Sequence, residues 1–343
     1  MRMLPMVKRW VTSVLSYQQA ERLRSLVHAG LYYSGLAWLV ASRGRRSATI
    51  FVYHSVGATG VFADNVVSAE IFEKQMRLLA RRRKPVALQQ IIAELKAGRD
   101  PPADWVAVTF DDGYRDFLTT ALPILARYAI PVSIFVPTSV LGGSALFFDQ
   151  VERVVIESAV DEIRLQTSKG KVEIKLGQRS SRSDAALRVA LVLRELGPQE
   201  RARAFLDLQA QCRVQEHGIP AGTYLSAADL PALPAWVEVG SHSINHYSLA
   251  ALDDATLRSE LVDSRAEIRV SRGQDAAVLA YPFGKPWSFD GRVKTAAANA
   301  GYVACLTTLT GVIRSTTDPM AIPRAAATAS MVRMRLNLLG TYL

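Results

Sequence analysis

Hydrophobic positions recur along most of this chain in two alternating rhythms. Runs of period two, or of unbroken apolar character, occupy residues 48–56, 106–110, 130–136, 236–240, 278–284 and 302–307. They are rich in β-branched and aromatic residues and predict strands. Between them lie stretches of helical spacing. Residues 67–80 predict a helix with Ser68 as N-cap and Glu70 in its first turn, and residues 86–97 a short strand followed by a helix through Ile91, Ile92 and Leu95. Residues 117–128 and the charged amphipathic stretch 253–272 predict two more, and another helix ends over 296–300 with Gly301 as its C′ residue. Strands alternating with helices predict an α/β fold, a parallel sheet with helices outside it.

The rhythm breaks between about residues 146 and 232. Residues 164–177 alternate around Ser168, Lys169 and Gly170 as an exposed hairpin does, and residues 183–214 are rich in Ala, Leu and Arg with helical spacing. We read this stretch as an insertion between two strands of one domain, residues 47–343, and its lone His217 as a structural loop histidine.

Composition sets bounds. At 343 residues, 49% hydrophobic and 21% charged, the chain buries a sizeable core, and wholesale disorder is excluded. Two cysteines, Cys212 and Cys305, with no CxxC, exclude a disulfide scaffold and a cysteine-built zinc site. The net charge of +10 is unevenly spread: residues 1–46 hold eight Lys or Arg and one Glu, 8 − 1 = +7, and form a basic N-terminal arm. Within it, residues 25–42 carry no Asp, Glu, Lys or Arg, His28 being the one group that can be charged near neutral pH, and are flanked by Arg22, Arg24, Arg43, Arg45 and Arg46. Three readings stay open: a helix on the protein's own surface, an interfacial helix with Tyr32, Tyr33 and Trp38 at headgroup depth and arginines on anionic lipid, or a span, which needs about 20 apolar residues. The run starts late for a cleaved signal peptide, so the expected location is the cytoplasm or a membrane surface. No nucleic-acid-reading motif accompanies the basic residues, and nucleic acid is not expected as a partner.

The chemistry concentrates in a few places. The run VAVTFDDGYRD over residues 106–116 is a buried strand ending in two adjacent carboxylates, Asp111 and Asp112, with Gly113 to turn the chain. Such a pair repels unless a cation lies beside it. A second strand ends at Gly240, and His242 and His246 follow with i, i+4 spacing, which puts both imidazoles on one face if the segment is helical. In a parallel barrel all strand C-termini face one rim, so these groups are expected to meet there. One carboxylate and two imidazoles make an open site for a divalent metal, zinc being the usual ion.

Residues 109–113 (TFDDG) resemble the first signature of the polysaccharide deacetylase family, the NodB-homology carbohydrate esterases. Residues 242–246 (HSINH) resemble its second, H-S-x-x-H, and residues 280–284 (AYPFG) its third. Residues 53–56 (YHSV) resemble the Y-H-x-V that often opens the exopolysaccharide branch. The likeness runs over residues 48–324 outside the insertion. It implies a distorted (β/α) barrel of about seven strands and metal-dependent removal of N-acetyl, less often O-acetyl, groups from a carbohydrate. By position it implies Asp111 as catalytic base, Asp112, His242 and His246 as metal ligands, and Tyr281 and a backbone N–H near Phe283 as oxyanion or substrate contacts.

Two departures from the family pattern stand out. No histidine follows His246, so the late L-x-H acid has no counterpart in residues 305–308 (CLTT); His54, at the end of the first strand, is the candidate acid. The third motif also lacks the leading arginine that pairs with the catalytic Asp, and Arg324 is the candidate to supply that charge. Two rival readings remain at this stage: a carbohydrate-binding pseudoenzyme subunit of a membrane polysaccharide synthase complex, and a metal-free glycosidase using Asp111 and another carboxylate.

Overall fold

The computed structural model describes Gly30, Ser34 and residues 47–57, 66–176, 179–214 and 220–340. The expected basic arm, but for Gly30 and Ser34, and His217 lie outside these residues. Among the described residues no helix is long and apolar enough to cross a membrane.

Seven strands run in one parallel path: β1 (Thr49–Tyr53), β2 (Trp105–Phe110), β3 (Val132–Val136), β4 (Val237–Ser241), β5 (Val278–Ala280), β6 (Ala304–Leu306) and β7 (Ala325–Ala326). Their spatial order is β6-β5-β4-β3-β2-β1-β7, and the two-residue strand Lys84–Pro85 adds to β2. The sheet curls until its ends meet. Ile322 bridges Leu306 of β6, and three residues later Ala325 pairs with Phe51 of β1. Residues 322–326 therefore form the seam of a distorted (β/α) barrel, the architecture that the family resemblance implies, built from the parallel strands and outer helices that the alternation predicts.

Period-two alternation sorts the strand side chains into layers. Phe51, Val106, Val108, Ile134, Val136 and Val237 point outward into the largest core cluster, beneath α1 (Ala69–Arg82) and α3 (Leu122–Arg127). Leu279 and Cys305 point outward to a second cluster with Leu257 and Leu261 of α7 (Asp254–Arg272) and Val293 of α8 (Gly291–Asn299). The inner cluster holds Ile50, Ala107, Phe135, Ala280, Ala304 and Leu306, and α2 (Leu88–Lys96) packs Ile91, Ile92 and Leu95 into it. A narrow interior needs small partners: a Cβ on Gly240 would lie 2.3 Å from the Phe135 ring and 2.8 Å from the Val278 carbonyl. Caps fall where the sequence places them, with Ser68 accepting from the Ile71 N–H at the start of α1 and Gly301 left-handed after α8.

Between β3 and β4 the chain forms α4 (Phe147–Glu157), an antiparallel hairpin (Glu162–Thr167 with Gly170–Lys175), α5 (Arg179–Leu193) and α6 (Pro198–Cys212). Two helices stand where the helical spacing reads as one, because Gly197 and Pro198 break the run. The end of this segment is tied to the β2 loop: Leu225 N–H donates to the Gly113 carbonyl (2.8 Å) and Arg115 N–H to the Thr223 carbonyl (2.9 Å). A short helix, α9 (Met331–Leu338), follows the seam.

Candidate metal centre and active site

The inward face of β2 carries Ala107 and Thr109, and the same parity brings Asp111 into the barrel mouth. Asp112 should then point outward. Instead its backbone is left-handed (φ 73°), as is that of Gly113 (φ 70°), and the turn swings the second carboxylate back toward the first. Gly113 also sits against β3, where a Cβ would lie 2.9 Å from Val136 Cγ1.

The two histidines converge by a different device from the one their spacing suggests. Residues 242–246 are a bend, not a helix, with left-handed Ser243 (φ 65°) and His246 (φ 52°). Glu260 of α7 holds this bend, accepting from the Ile244 N–H (2.8 Å), the Asn245 N–H (3.0 Å) and the Asn245 side chain (2.7 Å). The helical-face expectation is thus corrected: the imidazoles share a site because a buried carboxylate anchors the loop between them.

The outcome is a compact ionisable cluster, with Asp111, Asp112, His242 and His246 each at most 4% exposed. Asp112 Oδ1 lies 3.5 Å from His242 Nε2 and 3.4 Å from His246 Nε2. Ligand atoms around a tetrahedral zinc ion, bonded at about 2.0–2.1 Å, stand about 3.3 Å apart, so this spacing fits a bound ion. The donor set supports the same conclusion. His242 Nδ1 bonds the Ala280 carbonyl at 2.7 Å, so that nitrogen carries the proton and Nε2 turns a lone pair to Asp112. Asp112 Oδ1 is buried with no hydrogen-bond partner among the described residues, which is costly without a cation. The three residues are the metal-capable group found among the described residues, and they fit a divalent ion.

Beside them Arg324 grips Asp111 with two bonds, Nη1 to Oδ1 at 2.8 Å and Nη2 to Oδ2 at 2.6 Å. The guanidinium also donates to Thr109 Oγ1 (3.1 Å) and the Thr307 carbonyl (3.0 Å), so it is buried but fully committed. Burial pushes Asp111 up, but the charges of Arg324 and His242 together hold it below the usual carboxylate range. Asp112 is likewise held low: burial opposes, and His242, His246 and His54 prevail. The histidines diverge. Burial disfavours charge on His242, yet Asp111 and Asp112 more than offset it and raise its pKa. On His246 burial dominates and takes the pKa down to about 3.

His54 follows β1 on the inward parity of Ile50 and Val52 and is half-buried, close enough for its charge to act on both aspartates. Phe283, left-handed (φ 63°), sets its ring 4.7 Å from that of His246, edge to face. Tyr281 lies elsewhere. Its ring stacks on Phe289 at 4.6 Å and its hydroxyl donates to the Met320 carbonyl, so the side chain belongs to the outer cluster with α7 and α8 and does not face the aspartates. That corrects the expectation of a substrate contact: residue 281 continues the outward parity of Leu279.

The segment between β3 and β4 supplies the site's other wall. The Phe148 ring meets His246 edge to face at 5.3 Å. Arg201 of α6 lies between Phe147 (4.3 Å) and Tyr247 (4.1 Å), buried enough that its pKa falls to about 10. Asp149 is fully buried and accepts from the Tyr114 hydroxyl (2.9 Å) and from that of Tyr224. Neither Glu260 nor these residues carried a signal in the sequence. Glu260 is one of several carboxylates on an amphipathic helix, and Phe147, Phe148 and Asp149 read as an ordinary helix start.

A parallel barrel with a buried Asp-His-His cluster and a clamped second aspartate on its rim defines a hydrolase. The polysaccharide deacetylase family model matches residues 98–175 and 233–305, the stretches that contain Asp111, Asp112, His242 and His246. Among solved structures it is similar to the Streptococcus pyogenes deacetylase PplD in complex with acetate (17% identity, 86% of this chain and 97% of that one, TM-score 0.53). It is also similar to IcaB from Ammonifex degensii (15% identity, 87% and 98%, TM-score 0.52) and to a de-N-acetylase from Aggregatibacter actinomycetemcomitans (15% identity, 84% and 99%, TM-score 0.53). At these identities the likeness is one of fold. A search of curated proteins found no match.

Proposed function

We propose that this protein removes N-acetyl groups from a carbohydrate, using a divalent ion, zinc by preference, held by Asp112, His242 and His246. The observation that carries the reading is the buried, unpartnered Asp112 Oδ1 standing 3.4–3.5 Å from two imidazole nitrogens, next to an aspartate locked by an arginine. When bound, the ion supplies Lewis acidity to the acetyl carbonyl and acidity to a water. Asp111 accepts the proton of the attacking water; Arg324 keeps it ionised and aimed. The Phe283 N–H stabilises the oxyanion from the opposite side. His54 donates the proton to the leaving amine, in place of the histidine missing after His246. Phe148 and Phe283 exclude water around His246.

The similar structures, a de-N-acetylase and a deacetylase in complex with acetate, support N-acetyl as the group removed. The YHSV stretch at residues 53–56 supports an exopolysaccharide or a lipid-linked precursor as its carrier. A binding-only subunit is not favoured, since binding alone needs no clamped base, and a metal-free glycosidase leaves the Asp112 cluster unexplained. The barrel with its 146–232 insertion acts as one catalytic unit, and residues 1–46 serve as an arm toward anionic membrane surface. The test is acetate release from N-acetylglucosamine oligomers: release that a chelator stops and zinc restores supports the reading, and sugar binding without release overturns it.

A further inference from the structure

The barrel mouth is built from strand ends, and His54 lies just past one of them. The β1–β2 register pairs Ile50 with Ala107 and Val52 with Thr109 on the inward face, and its last pair is Tyr53 with Phe110. One step further, His54 stands opposite Asp111, whose N–H donates to the Tyr53 carbonyl at 2.9 Å as the closing bond of the ladder. The β2 ladder stops short of His54, so whatever holds the residues after it decides where the ring sits.

Those residues, Ser55 and Val56, are wholly buried. On one side they pair with Val66 and Val67, and the Gly57 N–H donates to the Val67 carbonyl at 3.0 Å. On the other side one carboxylate takes both of them: Asp116 Oδ2 accepts from the Ser55 hydroxyl and from the Val56 N–H (3.1 Å). Asp116 belongs to the same β2 loop as Asp111 and Asp112 and stands at the entry to the helical turn Phe117–Ala121. The loop returns to β1 because the Phe117 ring packs against Phe110 at 5.1 Å and Phe110 stacks on Tyr53 at 5.3 Å. One loop thus carries the base, a metal ligand and the carboxylate that clamps the segment bearing His54. Hydrogen bonds to an ionised acceptor are about twice as strong as neutral ones, so the clamp is a firm one.

We propose that Asp116 is a positioning residue for the acid step. It holds residues 55 and 56 so that the His54 imidazole meets the nitrogen of the leaving amine, and it acts through His54 without touching substrate. In that step the C–N bond breaks, nitrogen keeps the electron pair, and the His54 proton goes to that nitrogen. The inference rests on the deacetylase reading and on His54 as its acid. An acid must stand within about 2.6–3.2 Å of the atom it protonates, and about 1 Å of misplacement costs about 100-fold in rate.

Two substrates separate the acid from the rest of the site. An N-acetylglucosamine oligomer leaves as an amine that needs a proton, whereas p-nitrophenyl acetate leaves as a phenolate that does not. On the zinc-loaded full chain, Asp116→Ala should lower kcat on the oligomer by about 10- to 100-fold, with KM and zinc content unchanged. Hydrolysis of the ester should stay within about twofold of wild type, because no acid assists it. Asp116→Asn keeps a carbonyl oxygen for Ser55 and Val56 and should retain most of the oligomer rate. In a His54→Gln background, Asp116→Ala should cost nothing further. Should Asp116→Ala not fold, Ser55→Ala removes one of the two bonds and should show a smaller loss confined to the oligomer. NMR of isotope-labelled histidines, with His54→Gln assigning the signal, should show the His54 ring shifted or broadened in Asp116→Ala and native in Asp116→Asn. A full oligomer rate in Asp116→Ala, equal losses on both substrates, losses that add to those of His54→Gln, or an unchanged His54 ring would each overturn the positioning role. A wild type that cleaves the ester but not the oligomer counts against the deacetylase reading, and the ring signal then still decides whether Asp116 places His54.

Discussion

His246 has two kinds of neighbour. From the barrel side it faces Asp112 at 3.4 Å and His242, polar groups whose charges are arranged to receive an ion. From the side of residues 146–232 it faces Phe148, with Arg201 held between Phe147 and Tyr247. The floor leaves one buried oxygen unsatisfied, while the wall is built of rings and a stacked guanidinium. Low dielectric on one side strengthens the electrostatics on the other. On the proposed reading, the floor carries the reaction and the wall keeps water from it.

The sharpest break between the two is metal content. Asp112→Ala, His242→Ala and His246→Ala should each lose stoichiometric zinc and all acetate release while still folding, as elemental analysis and circular dichroism would show. Wild-type zinc in any of them would remove that residue from the ligand set.

Next come the paired groups of the floor. Asp111→Asn should retain zinc and lose about 10²–10⁴-fold in kcat, the usual effect of removing a general base. Arg324→Met leaves Asp111 buried without its counter-charge and should destabilise the fold by about 3–5 kcal/mol in denaturant titrations. The double variant should be more stable than Arg324→Met alone. If it is not, Arg324 acts through packing and not through Asp111.

The wall should fail differently. Arg201→Met should keep full zinc and lower kcat/KM by about 10- to 100-fold through misplacement of substrate. Loss of zinc in this variant would mean that floor and wall do not act separately.

A smaller effect lies in the pH dependence of stability. Burial, aided by the charge of Asp112 and opposed by the Tyr224 and Tyr114 hydroxyls, raises Asp149 to about 7. A carboxyl raised on folding binds more protons in the folded than in the unfolded chain between its two pKa values. Stability should therefore fall as pH rises from about 4 to about 7 and level off above. Burial also raises Glu152, to about 8, and extends the slope upward. Asp149→Asn should flatten this slope, so that the variant gains on the wild type at about pH 8 relative to about pH 5. An unchanged slope would assign it to other groups.

The weakest expected effect concerns the arm. Removing residues 1–46 should leave acetate release from soluble oligomers unchanged but reduce sedimentation with anionic vesicles at low salt, each basic residue near such a surface contributing about 1 kcal/mol. Full-length protein that stays in the supernatant would end the membrane reading.

Periodicity alone determined the parallel sheet and its covering helices, because a strand buried on both faces and a helix buried on one leave different spacings in any sequence. The same holds for the strand-end placement of Asp111, His54 and His242, since parity and chain direction put them at one rim. Local rules also located the caps at Ser68 and Gly301. Only the tertiary structure decided how the groups meet. Asp112 enters the site through a left-handed turn, and His246 through a bend anchored by Glu260, a contact formed between residues 15 or 16 positions apart on separate elements. Arg324 reaches Asp111 across 213 positions because residues 322–326 close the barrel beside β1. Tyr281 turned the other way for the same kind of reason: its parity pointed it at helices whose position its own neighbourhood does not encode. Spacing records which face a residue takes, whereas the partner on that face is set by closure of the sheet and packing of the segment above it.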